Sequence, residues 1–452
     1  MRKSYHIWTI GCQMNEADSR HLGSQLESLG YAAVSAPEEA DLVVLNTCVV
    51  RQQSEDKAVG KLHAVRHLKE RRPDLRVGLM GCLVGLKEEP ALRRRFPFVD
   101  VFMPPSETRP LMEFLGVARD DAGRALDARE RAIRDAVQDE EHVLPALSRG
   151  RAVTANVPIV LGCSHACSFC VIPYRRGAEK SLPPDVVLRE VRALAAQGVR
   201  EVMLLGQIVD RYGEDLPGRP DLGDLLREVA AVEGLLRVRF LTAHPNYMTD
   251  RILEAVRDTP KVCPHLELPI QSGDDEVLAR MRRGYTVDDF RAVVARARRI
   301  LPHATLNTDV IVGFPGETEA QFLNTCRVLE ELRLDKVHLS RYSERPKTIA
   351  ARQMPDDVPA EEKERRWHHL DAICERILTE KNASLLGTEV EVLVEDQSHG
   401  KWRGRTPHNR LVFIRDDRPL RGALVSTRVT WTGPFTLQAE GAEIRVPAAT
   451  AP

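Results

Sequence analysis

No run in this 452-residue sequence approaches the roughly 20 consecutive apolar residues that a bilayer-crossing helix needs. The start offers no secretion signal either, because its apolar stretch is only Ile7-Trp8-Thr9-Ile10. No membrane association and a cytoplasmic location are the resulting expectations. Net charge is also missing. The 65 Lys and Arg against 66 Asp and Glu leave −1, so any attraction for nucleic acid has to come from a local patch. Nine cysteines, an odd number in a long chain without a leader, argue against a disulfide framework and turn attention to metal ligation or catalysis. Internal repeats and low-complexity tracts are absent.

What is present reads as soluble and globular, 43% hydrophobic and 29% charged, and long enough for about three domains. Residues 1–118 alternate strand and helix: His6–Ile10, helical periodicity over Glu16–Leu29, Asp41–Leu45, a helix from Ser54 to about Glu70, then Arg76–Met80. Such alternation predicts a parallel sheet. Residues 119–150 turn to Ala, Arg, Asp and Glu and read as a helical linker. Alternation resumes over 151–384, with strands at Ala155–Val160, Glu201–Leu205, Val238–Thr242, His265–Leu268, Asn307–Val312 and Lys336–Ser340. Helices at Pro184–Ala196 and Val287–Arg299 fall between them. This is the pattern of a complete or partial α/β barrel. Residues 385–449 show short strands without helices (Glu389–Glu395, Arg410–Ile414, Ala423–Trp431), predicting a small β-barrel.

Cys163, Cys167 and Cys170 lie within eight residues, in Gly-Cys-Ser-His-Ala-Cys-Ser-Phe-Cys. Three thiolates on one loop suit three corners of a cubic iron–sulfur cluster and leave the fourth iron open for a cofactor. The competing reading is a structural zinc loop, with His165 as a possible fourth ligand. Zinc sites usually carry a second Cys pair, and none exists here. Cys12, Cys48 and Cys82 each follow a predicted strand, spaced 36 and 34 residues apart. The carboxyl ends of parallel strands share one edge, so these thiols can converge, with Gly or Thr before each allowing close backbone approach. Against burial as three separate small hydrophobes, we read them as ligands of a second cluster. Cys263, Cys326 and Cys374 lack such context and read as structural.

These residues resemble a known family. The triplet, placed after the first barrel strand, is similar to that of radical S-adenosylmethionine enzymes. Gly11-Cys12-Gln13-Met14-Asn15, Asn46-Thr47-Cys48, Gly81-Cys82, Met281-Arg282-Arg283-Gly284-Tyr285 and Val312-Gly313-Phe314-Pro315-Gly316-Glu317 resemble the methylthiotransferases among them. The tail, with Gly404-Arg405-Thr406-Pro407-His408-Asn409-Arg410, resembles their TRAM RNA-binding barrel. The resemblance implies an amino-terminal parallel α/β domain, a radical S-adenosylmethionine core barrel and a TRAM barrel. It also implies two [4Fe-4S] clusters, S-adenosylmethionine, an external electron donor and a monomer. Cofactor contacts are implied at Gly206, Gln207, Gln271, Ser272, Asp309 and Gly313. Gln13-Met14 matches the branch that adds methylthio to N6-isopentenyladenosine next to the tRNA anticodon. Three departures, Gln207-Ile208-Val209-Asp210, Glu267 and Lys347 after Pro346, lie near the expected pocket and keep open threonylcarbamoyladenosine or a ribosomal-protein aspartate as target. A non-catalytic, cluster-dependent RNA-binding regulator is the reading from another class.

RNA contact is expected from the tail. Between Gln397 and Trp431 eight Lys or Arg face two Asp, a net of +6. Lys401, Trp402, Arg403, Arg405, Asn409 and Arg410 are the candidates, Trp402 to stack on a base. Lys61–Arg76 is a second basic stretch, readable equally as an exposed helix.

Overall fold

A computed structural model describes residues 2–50, 52–86, 90–117 and 143–448. Most of the expected 119–150 linker helix lies outside them, and its described end, 143–150, is bends and turns. The chain divides into two compact units. One holds residues 1–151, 156–165 and 170–197; the other holds 152–155, 166–169 and 198–452.

In the first unit β1 (Ser4–Ile10), β2 (Ala32–Ala33), β3 (Leu42–Thr47), β4 (Arg76–Gly81) and β5 (Val101–Met103) form one sheet, order β2-β1-β3-β4-β5. All of its pairings are parallel. Alternate side chains of each strand serve opposite faces. Val43, Leu45, Val77 and Leu79 pack on Leu62, Val65 and Leu68 of α2 (Gln52–Arg71). Leu42, Val44 and Met80 pack with Leu22 and Leu26 of α1 (Gln13–Ser28) on the other face. With helices on both sides, β3 is buried throughout, and its unbroken Leu-Val-Val-Leu run follows from that. The second basic stretch falls largely on α2, where Arg66 pairs with Glu70 and Lys69 with Asp100.

In the second unit, β6 (Glu201–Leu205) and β7 (Arg237–Leu241) pair in parallel, as do β8 (His265–Glu267), β9 (Thr305–Val312) and β10 (Lys336–Arg341). The two groups are stitched together by a Val238–Val262 bridge and by Ala243 N–H donating to Glu267 O at 3.2 Å. The core is thus the partial form of the expected barrel. The carboxyl-terminal strands β11 (Glu389–Ser398), β12 (Lys401–Arg405), β13 (Leu411–Arg415), β14 (Leu424–Thr432) and β15 (Thr436–Val446) close into a barrel, order β11-β12-β13-β15-β14. Its core is Val392, Val394, Val412, Ile414, Val425 and Leu437. Two of these strands, β12 and β15, escape the hydrophobic pattern because their outward positions carry Lys, Arg, Gln and Glu.

Candidate functional site

The strand ends of the first unit bring Cys12, Cys48 and Cys82 together. Cys12 is the N-cap of α1, Cys48 follows β3, and Cys82 follows β4. Close approach depends on the preceding residues. A Cβ on Gly11 would come 2.7 Å from Cys48 Cβ, and one on Gly81 would come 2.5 Å from Thr47 O. Two asparagines interlock the loops. Asn15 Nδ2 donates to Asn46 Oδ1 (2.8 Å) and Thr47 O (3.0 Å), while Asn46 Nδ2 donates to Asn15 O (2.9 Å). The motif residues around the cysteines therefore tie three strand ends into one edge.

The thiols interact. A hydrogen bond with Cys48 draws the Cys12 pKa down to about 6 against the opposing effect of burial, and raises that of Cys48. Burial raises Cys82, opposed by Arg176. Arg176 is the residue that sequence reasoning missed. It ends α3 (Ile172–Arg176), just beyond the cysteine triplet, and is 1% exposed. Its guanidinium bonds to Cys82 and donates to Asp18 Oδ2 (3.2 Å) and Ser106 Oγ (3.3 Å), with Ser106 donating to Asp18 Oδ1 at 2.6 Å. Burial works against this charge, and Cys82, Asp18 and Cys12 outweigh it. A cation so placed suits a sulfur-rich anionic group held by the three thiols. The available signal was its place in the Tyr174-Arg175-Arg176-Gly177 run after the triplet, which carries no periodicity. Nearby, His21 and Arg20 bind buried Glu190; burial would raise that carboxyl, but the two partners hold its pKa at about 2.

The triplet loop is built differently. Gly162 adopts φ +68, and a Cβ there would meet Ala178 O at 2.2 Å, so a side chain cannot be accommodated. Cys163 N–H donates to Gly177 O at 2.9 Å, and His165 N–H donates to Cys163 Sγ at 3.4 Å. Ser168, between Cys167 and Cys170, is anchored to Met281 O, Arg280 O and Ala350 N–H. Cys167 also has its own buried arginine: Arg283 donates to Cys167 Sγ (3.2 Å), Tyr285 Oη (3.0 Å) and Pro269 O (3.2 Å). The Met-Arg-Arg-Gly-Tyr motif thus positions a cation on a triplet sulfur. Phe169 meets Phe314 edge-on at 6.5 Å.

Among the implied cofactor contacts, Gln271 N–H donates to Asp309 O (2.9 Å) and Gln271 O accepts from Ile311 N–H (3.0 Å). Gln271 is left-handed (φ +71), and its Oε1 is buried without a hydrogen-bond partner. Such an orphaned acceptor beside strand ends fits a site made for a polar ligand. Ser272 is buried, with its hydroxyl 3.4 Å from Thr325 Oγ1. Gly206 joins β6 to β7 through Thr242, and the Gly313 N–H donates to Glu317 Oε2 at 2.6 Å, a carboxylate held by Arg366. Gln207 is partly exposed. The departures are explicable: Asp210 accepts from the His244 N–H, and Glu267 accepts from Asn307 Nδ2. Lys347 occupies a left-handed position (φ +73), where glycine would be unstrained.

The RNA candidates need correction at one residue. Trp402 is 7% exposed in the barrel core, because β12 turns it inward, so it cannot stack on a base. The others have intrachain partners. Lys401 donates to Gln438, Arg403 pairs with Asp396, Arg405 lies by Glu395 and Asn409, Asn409 reaches His265, and Arg410 pairs with Asp335. Arg239 donates to Thr406 O (2.7 Å) and Pro407 O (2.9 Å), so the Arg405–Arg410 segment docks the barrel on β7. Cys263 and Cys326 are buried and Cys374 half-buried, with burial raising their pKa to about 11, 11 and 12. That is the state of unreactive structural thiols.

Family models match along the chain: an uncharacterized protein family, UPF0004, over residues 4–104, the radical SAM superfamily over 157–329 and the TRAM domain over 383–440. The tRNA-2-methylthio-N(6)-dimethylallyladenosine synthase of Roseiflexus sp. (strain RS-1) is 46% identical over 96% of this chain and 89% of its own. Its namesake in Chloroflexus aurantiacus is 44% identical, covering 96% and 91%. This chain belongs to that family. Among solved structures, the radical S-adenosylmethionine methyltransferase TsrM of Kitasatospora setae, with cobalamin and a [4Fe-4S] cluster bound, matches with a TM-score of 0.56. That match covers 78% of this chain and 74% of TsrM at 15% identity, a likeness of fold alone. The cobalamin-dependent S-adenosylmethionine radical enzyme OxsB matches at 0.51, 12% identity, over 83% and 56%.

Proposed function

We propose that this chain is a radical S-adenosylmethionine tRNA methylthiotransferase that places a methylthio group on C2 of N6-isopentenyladenosine next to the anticodon. The observation that supports this reading best is the meeting of Cys12, Cys48 and Cys82 at one sheet edge, in a chain that also carries the Cys163, Cys167 and Cys170 loop. Two sets of three thiols match two [4Fe-4S] clusters, each with one open iron. We assign Cys12, Cys48 and Cys82 to one and Cys163, Cys167 and Cys170 to the other. When bound, the clusters and S-adenosylmethionine supply the electron, the 5′-deoxyadenosyl radical and the sulfur and methyl group.

The chain's own residues position these groups. Arg176 and Arg283 set fixed cations against the two thiol sets. Gln271, Ser272 and Asp309, with Gly206, Gln207 and Gly313, are assigned to hold S-adenosylmethionine, the buried Gln271 Oε1 being ready to accept from it. Lys401, Arg403 and Arg405 are assigned to the RNA backbone, and their binding should weaken with salt. The protein is taken to work in the cytoplasm as a monomer with an external electron donor; among the described residues no helix is long and apolar enough to cross a membrane.

The test is an anaerobic reaction of cluster-loaded protein, reductant and S-adenosylmethionine with tRNA carrying isopentenyladenosine, read by nucleoside mass spectrometry. The 2-methylthio nucleoside is expected. If 5′-deoxyadenosine forms without it, the substrate assignment fails, and threonylcarbamoyladenosine and the ribosomal-protein aspartate become the targets to test.

A further inference from the structure

With Trp402 inside the barrel, base stacking needs another surface, and the outer face supplies one. Cross-strand register sets Arg403 opposite Phe413, Phe413 opposite Gln438 and Gln438 opposite Trp431, so one row crosses β12, β13, β15 and β14. Trp431 is 48% exposed, and Phe435, in the turn that follows, is 60% exposed. Of the exposed large hydrophobics on the described barrel strands and turns, these two are the aromatic ones, beside Ile444 at 40%. The turn is held in shape. The Trp431 ring covers Gly433, where a Cβ would lie 2.4 Å from it, and Asn382 Nδ2, at the end of the helix Ala360–Ala383, donates to Gly433 O (2.7 Å) and Pro434 O (3.0 Å). The aromatics are therefore presented on a fixed scaffold, which lowers the ordering cost of binding. Cationic side chains border the row: Lys401 reaches Gln438 at 2.8 Å, and Arg403 stands in the row itself, paired with Asp396, while Arg428 on β14 stands in register between Glu389 and Glu440.

We propose that Trp431 and Phe435, with Phe413, form the platform on which this chain stacks unpaired bases of the tRNA anticodon arm. The proposal rests on the tRNA reading above. Flat aromatic faces beside lysine and arginine match the chemistry of single-stranded nucleic acid, whose bases stack and whose phosphates pair with cations.

The test compares full-length parent, Trp431→Ala/Phe435→Ala and Trp431→Tyr for equilibrium binding to tRNA across a salt series. The double variant is expected to lose about 5- to 150-fold in affinity for each base no longer stacked, with its salt slope unchanged because no phosphate contact is removed. Trp431→Tyr should retain most of the affinity. Circular dichroism and thermal unfolding report whether each variant is folded, and comparison is made among those that are. Binding by the double variant within twofold of the parent overturns the platform and leaves the tRNA reading standing. A parent that binds no tRNA overturns the tRNA reading itself. If the parent sediments as a dimer and the double variant as a monomer, the face is a contact between copies and the platform is overturned.

Discussion

Cys12, Cys48 and Cys82 meet because three βα units end on one sheet edge, whereas Cys163, Cys167 and Cys170 share eight consecutive residues. The first set depends on the tertiary fold; the second depends on one loop and its anchors. Each has a buried arginine, but in different company. Arg176 is balanced by the Asp18 carboxylate, while Arg283 relies on Tyr285, Pro269 O and Cys167. The strand-end site draws its charge balance from the helix that follows its first cysteine, and the loop site borrows donors and acceptors from the motif that packs on it. The two sites should therefore fail in different ways.

The largest effects should come from the cysteines. Replacing any one of Cys163, Cys167 or Cys170 by Ala is expected to abolish 5′-deoxyadenosine formation, measured by chromatography of the quenched reaction. Replacing Cys12, Cys48 or Cys82 should leave that product and stop methylthio transfer. Persistent cleavage in the first group, or persistent transfer in the second, would refute the division of labour.

Next come the arginines, measured by denaturant unfolding of the chain without clusters. Arg176→Met leaves Asp18 buried without its cation and should cost about 3–5 kcal/mol. Arg283→Met strands no carboxylate, and Pro269 O keeps the Tyr285 hydroxyl at 2.8 Å, so about 1–3 kcal/mol is expected. Equal losses would remove the distinction drawn between the two sites. Gly81→Ala and Gly162→Ala each press a methyl against a backbone carbonyl, at about 1–3 kcal/mol. Iron analysis should show Gly81→Ala depleting the strand-end cluster and Gly162→Ala the loop cluster.

A further effect appears only in acid. Glu190, held at a pKa of about 2 by His21 and Arg20, contributes stability that is complete above the unfolded carboxyl value, near 4.3, and is lost as pH falls through about 2. Glu190→Gln should flatten that acid limb in a stability–pH profile. An unchanged profile would show that this ion cluster contributes nothing across this range.

The contrast also explains what was legible beforehand. The triplet could be read from spacing alone, and β3 and β6 from unbroken apolar runs. Convergence of the strand-end thiols follows from parallel topology. Arg176 could not be read in this way, because its partners Asp18, Ser106 and Cys82 are 158, 70 and 94 positions away and no local pattern links them. Trp402 reads as a surface residue from its basic neighbours, whereas strand alternation turns it inward between outward-facing Lys401 and Arg403. Trp431 and Phe435 gave no signal, since an aromatic near a turn looks the same whether it packs or protrudes.

Two independent clusters are expected to occupy two differently built sites. Iron and acid-labile sulfide analysis with Mössbauer spectroscopy, on the triple variants Cys12→Ala/Cys48→Ala/Cys82→Ala and Cys163→Ala/Cys167→Ala/Cys170→Ala, tests it most directly. Each variant is predicted to retain one [4Fe-4S] cluster where the parent holds two. A variant that keeps both, or a triple change at one site that empties both, would contradict it.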